Sequence, residues 1–143
     1  MADTMSRTSD RTRTLVRALL WFLAAIEAVV GVWAQLAPES FFRDFPLGRG
    51  WVALLPPYNE HLTRDVGGLS LALVVVLVAA AVRGDRWSAR VAAVATAVFA
   101  VPHTVFHALH LEHFSTVDAA VQTVGTIAVC LTCLAVWVLA RRL

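Results

Sequence analysis

The stretch L-T-R-D-V-G-G-L-S-L-A-L-V-V-V-L-V-A-A-A-V, residues Leu62 to Val82, decides the fold. As an α-helix rising 1.5 Å per residue, it is about 30 Å long, the thickness of a bilayer's hydrocarbon core. Gly67-Gly68 near its start allows close helix approach, and Asn59 is placed to cap it. The turn Arg83-Gly84-Asp85-Arg86 follows, and then a second apolar run from Ser88, its expected cap, to Leu111. So short a turn makes the two runs antiparallel neighbours. In lipid every backbone polar group must be satisfied internally, so runs of this length are helices.

Outward from this hairpin, Leu15–Leu36 and Asp118–Leu139 are two further apolar runs, giving four spans near 15–36, 62–82, 88–111 and 118–139. The polar arm before them, residues 1–14, is expected to be disordered. A basic start and an apolar run also describe a signal peptide. The length of the run, Glu27 at its centre and the absence of an A-x-A site before Pro38 favour a retained span. Between the first two spans, F-F-R-D-F-P-L-G-R-G-W (Phe41–Trp51) interleaves aromatics with charge, as a segment in the membrane interface does, and Pro56-Pro57 closes it. Pro102 interrupts the third span and predicts a kink.

Composition agrees. The chain is 59% hydrophobic and only 15% charged, with a mean hydropathy of +0.70, far from a soluble globule. All twelve basic residues are arginine and are spread over loops, which excludes the concentrated basic face of a nucleic-acid binder. Arg7, Arg11, Arg13 and Arg17, Arg83, Arg86 and Arg90, and Arg141 and Arg142 fall on one side of the spans. Arg43, Arg49 and Arg64 fall on the other. The positive-inside rule then puts both termini in the cytoplasm, in the plasma membrane. Cys130 and Cys133, three apart in an apolar run, read as small buried residues and not as a disulfide. The five tryptophans lie near the expected interfaces as belt residues.

Chemistry concentrates in V-P-H-T-V-F-H-A-L-H-L-E-H-F-S, Val101–Ser115, which holds four of the five histidines. His103, His107 and His110 fall within roughly 60° of one helical face. The fifth, His61, shares a face with Asp65 at the start of the second span. At 1.5 Å per residue, Asp65 and His103 lie at heights within roughly 6 Å. The two knots are therefore expected to meet inside the bundle. His61, Asp65, His103, His107 and His110 are the candidate ligands of a metal ion, zinc or iron, and Asp65 or Glu60 the candidate catalytic base. His113, beside Glu112, reads as a solvated surface residue. A metal-free polar network fits the same residues, as does a pH-sensitive or proton-relay role. Glu27 sits near the midplane of the first span. It reads either as a proton-transfer or ligand contact or as a hydrogen-bonding partner of Gln122, Thr123 or Thr126. Arg64 is expected to snorkel and to orient Asp65 or a lipid phosphate.

The strings P-Y-N-E-H-L-T-R-D-V-G-G-L, ending at Leu69, and V-P-H-T-V-F-H-A-L-H, ending at His110, resemble a group of small actinobacterial integral membrane proteins with four spans. That resemblance runs from about Val16 to Leu139. It implies a plasma-membrane protein and supplies no activity. More loosely, the layout is similar to the DoxX-like membrane proteins, some of which are linked to quinone or thiol redox partners. No residue motif here carries that role over.

The expectation is thus an all-α, antiparallel four-helix transmembrane bundle. Three functions stay open for it. One is a metal-dependent enzyme acting on a lipid or other apolar substrate. Another is an electron-transfer protein with haem b held by histidines of spans two and three. The third is a non-catalytic subunit that binds a ligand or stabilises a complex. Membrane lipids are its constant partners, and a homodimer or a larger membrane complex is open to a bundle of this size.

Overall fold

The computed structural model describes the backbone of residues 2–55 and 57–143, and side chains from Asp10 onward. Pro56, expected to help close the interfacial loop, lies outside the described residues. Helix α1 covers Ala2–Leu36, α2 Pro38–Asp44, α3 Glu60–Arg83, α4 Arg86–Leu109 and α5 Thr116–Leu139. Single 3-10 turns occupy Val52–Leu54 and Ala140–Arg142, and no strand occurs among the described residues. Four of these helices, counted as Asp10–Leu36, Glu60–Arg83, Arg86–Leu109 and Thr116–Arg142, are long and apolar enough to cross a membrane. This is the architecture of a multi-pass membrane protein. Val75, Val98 and Val124 are 69%, 71% and 68% exposed. Faces so apolar and so open suit contact with lipid, where burial brings no hydrophobic gain.

The helix ends are set by specific side chains. Asn59 caps α3 as expected, its Oδ1 accepting from the Leu62 amide at 3.1 Å. Gly84 ends the same helix in the left-handed conformation (φ 65°), which glycine adopts without a Cβ penalty. Helix α4 starts two residues before the expected Ser88. Its cap is Asp85, whose Oδ1 accepts the Ser88 amide at 2.9 Å while Oδ2 accepts the Ser88 hydroxyl at 2.8 Å. Ser115 caps α5, its hydroxyl accepting the Asp118 amide at 3.2 Å. Pro102 lies inside α4 without ending it. The segment Ala2–Thr14, expected to be disordered, is instead continuous with α1. No Gly or Pro interrupts it, so nothing local stops the helix from extending past the span.

Helix α1 packs most extensively on α3, and α4 on α5. The α1–α3 contact is a backbone approach. A Cβ at Gly67 would stand 2.6 Å from the Gln35 amide nitrogen, and one at Gly31 would stand 2.9 Å from Leu71 Cγ. At Gly68 the nearest atom would be 3.8 Å away, so of the pair only Gly67 lies in the interface. The shared core joins Val16–Ala24 of α1, Leu77–Ala81 of α3, Ala89–Ala93 of α4 and Cys133–Val136 of α5. All of these lie in the half of the bundle next to the Arg83–Arg86 turn. Alanines at 89, 92 and 93 bring α4 close to its neighbours there. At the opposite end, the segment between α1 and α3 holds the short helix α2. That segment crosses to the start of α5, where Asp118 accepts from the Arg49 guanidinium and from Trp51 Nε1 (2.8 Å).

Candidate functional site

Ala89, Ala93, Thr96 and Ala100 form the buried face of α4. His103 and His107 lie within roughly 40° of that face's centre, so the imidazoles continue the inner stripe beyond the shared core. Phe99 stacks on His103 with ring centres 5.1 Å apart, and His103 meets His107 edge-on at 4.4 Å. His103 is exposed and His107 half-buried.

Across the α4–α5 turn, His107 finds Gln122. The Gln122 Nε2 donates to His107 Nδ1 at 3.0 Å, which leaves the imidazole proton on Nε2. Gln122 is 3% exposed. Its Oε1 is fully buried and has no protein partner among the described residues. Turning the amide over only transfers that unmet bond from the oxygen to the nitrogen. Two turns deeper from Gln122, the Cys130 thiol lies 3.3 Å from Thr104 Oγ1, and both cysteines are free thiols. His110 turns back on its own helix, with Nδ1 2.7 Å from the Phe106 carbonyl and its ring stacked on Phe106 at 4.1 Å.

The second knot is separate. His61 Nε2 and Asp65 Oδ2 are 3.3 Å apart, and both side chains are largely exposed. Among the described residues no group of three or more His, Cys, Asp or Glu side chains is placed to hold a metal ion. The expected union of Asp65 with His103 and His107 thus does not occur as a metal-holding group among the described residues. The reason is azimuth. Helix α3 turns Gly67, Ser70, Leu77, Ala80 and Ala81 inward, and Asp65 and His61 lie roughly 130° and 170° away from the centre of that face.

Other candidates also take different partners. Glu60 is held by Arg64 at 2.9 Å, and Arg64 also donates to the Gln35 carbonyl of α1. Arg64 thus orients Glu60 and not Asp65. Glu27 is buried beside Ser70 of α3, the helix that packs on α1, and among the described residues no hydrogen bond joins it to Gln122, Thr123 or Thr126 of α5. His113 stands 3.4 Å from Glu112 with both side chains exposed. In the Arg83–Arg86 turn, the Asp85 carboxyl is held well below the usual carboxylate range. The Ser88 amide contributes most, then the Arg83 guanidinium at 2.9 Å, then the Ser88 hydroxyl.

The sequence reading missed two features. One is the Gln122–His107 pair. It is visible as a polar residue four positions into the fourth span expected from the sequence, as His107 is four positions from the expected end of the third. The other is the knot at Asp118, signalled by S-T-V-D, a helix-start pattern in which Ser115 and Asp118 are three apart. Compared with protein families, curated proteins and solved structures, the chain finds no match.

Proposed function

We propose that this chain is a plasma-membrane protein that binds an uncharged, hydroxyl- or amide-bearing amphiphile at the His103–His107–Gln122 cluster, without catalysing a reaction on it. The observation that carries the reading is Gln122. A buried amide with one hydrogen bond unmet costs about 1–3 kcal/mol, and it lies against the imidazole of His107. A ligand hydroxyl supplies both a donor for Gln122 Oε1 and an acceptor for the His107 Nε2 proton. The apolar body of such a ligand suits Phe99, Phe106 and the exposed His103 ring. The arginine asymmetry supports cytoplasmic termini, and with that orientation the cluster would face the outer leaflet and ligands dissolved in it.

Labelling with a photoreactive long-chain alkanol tests this reading. The expected adducts concentrate on residues 99–107, and Gln122→Leu lowers them. Adducts spread evenly over the apolar faces, and indifferent to Gln122→Leu, would overturn it. A second reading is favoured by the 4.4 Å imidazole pair at i, i+4. Two such rings can share a zinc or iron ion whose remaining ligands come from outside the chain. Elemental analysis of the purified protein separates it from amphiphile binding, and a Soret band would point to haem.

A further inference from the structure

At the opposite end of the bundle an open groove of about 750 Å³ runs between α4 and α5. Arg86, Arg90 and Trp137 line its rim, and Val91 and Val94 its floor. Two guanidiniums lie over the indole of Trp137, Arg90 at 4.5 Å and Arg141 at 4.1 Å from the ring centre. Stacking holds both arginines by their faces and leaves their N–H edges free. Neither they nor Arg86 has an ion pair among the described residues. Asp85, the acid next to Arg86 in sequence, is already taken by Arg83 and Ser88.

We infer that this groove is a binding site for one anionic phospholipid of the surrounding bilayer. The guanidinium edges of Arg90 and Arg141 take the phosphate, with Arg86 completing a triad of positive charge. One acyl chain lies along Val91 and Val94, both of which are substantially exposed. From Arg86 to Val94 the groove covers about 12 Å of helix, enough for the upper part of a chain. Charge complementarity selects the occupant: two guanidiniums, Arg86 and Arg90, line the rim, a third, Arg141, lies over the Trp137 ring at its edge, and the floor carries only apolar side chains. A zwitterionic lipid offers the same chain but brings a competing ammonium, and a free phosphate leaves the valines uncovered. The site is independent of the histidine cluster at the other end.

Native mass spectrometry of the full chain in detergent tests it, with dioleoylphosphatidylglycerol and dioleoylphosphatidylcholine as probes. Wild type is expected to retain phosphatidylglycerol in preference to phosphatidylcholine. Arg90→Gln and Arg141→Gln are each expected to weaken its retention by about five-fold, the effect of one lost interfacial charge. Val94→Trp fills the floor with every arginine intact, and it is expected to weaken retention as well. Arg11→Gln with Arg13→Gln, on the same side of the membrane but away from the groove, is expected to change nothing. Any of four results would overturn the inference: equal retention of the two lipids, an equal loss in the Arg11/Arg13 variant, no effect of Val94→Trp, or displacement of the lipid by millimolar inorganic phosphate. Arg141 lies in the last turn of the chain, so its variant keeps the test valid if Arg90→Gln fails to fold.

Discussion

A hydrogen bond of 3.0 Å joins Gln122 of α5 to His107 of α4. Removing the imidazole leaves both ends of a buried amide unmet, whereas replacing the amide by leucine removes the need. His107→Ala is therefore expected to cost about 1–3 kcal/mol of stability and Gln122→Leu much less, with a coupling of about 1 kcal/mol between them. Thermal unfolding of the two single variants and the double variant in one detergent checks this. Equal losses in both single variants would show that the hydrogen bond does not carry the interaction. Asp85 makes a different prediction, because its carboxyl is depressed in the folded protein. A depressed carboxylate stabilises the fold fully above its unfolded value of about 3.9, and that contribution is lost as pH falls through the folded one. The melting temperature of wild type relative to Asp85→Asn should thus be constant from neutrality to about pH 4 and shrink below it. A difference that grows as pH falls would contradict the capping role.

At the scale of helices, the α1–α3 contact rests on two glycines, and their neighbours supply the control. Gly67→Val drives a side chain into the α1 backbone at Gln35 and should cost about 1–3 kcal/mol or more, while Gly68→Ala should be nearly neutral. Equal melting temperatures for the two variants would mean that α1 and α3 separate readily. The same contact explains what the sequence concealed. Span length, the caps at Asn59 and the turn at Gly84 were legible because they depend on neighbours along the chain. Which way α3 faces was not, because that depends on its choice of α1 over α4 as main partner. Asp65 therefore turns outward to pair with His61, and Glu27 meets Ser70 instead of a residue of α5. The partner of His107 lies on α5, across the turn that follows its own helix.

Taken whole, the molecule is a bundle with a common core at one end and two helix pairs, α1–α3 and α4–α5, at the other. The shared core is rich in alanine and ends near Ala24, Leu77, Ala93 and Cys133. Beyond it the polar residues begin: Glu27 with Ser70 in one pair, His103, His107 and Gln122 in the other. The segment from α2 to Trp51 bridges the two pairs through Asp118. Asp118→Ala should therefore loosen this end alone. Amide exchange is expected to accelerate over residues 45–55 and at the start of α5, with the core half unchanged, and uniform acceleration would argue against a local bridge. Binding of an amphiphile's hydroxyl at His107 and Gln122 is proposed from the unmet Gln122 amide. Nitrogen NMR of the protein labelled with 15N-histidine tests it most directly, by titration with a long-chain alkanol such as decanol. The expected result is a saturable shift of the His103 and His107 signals, with His61 and His113 unmoved, and loss of the His107 shift in Gln122→Leu. Equal shifts of all five histidines, or none at His107, would contradict it.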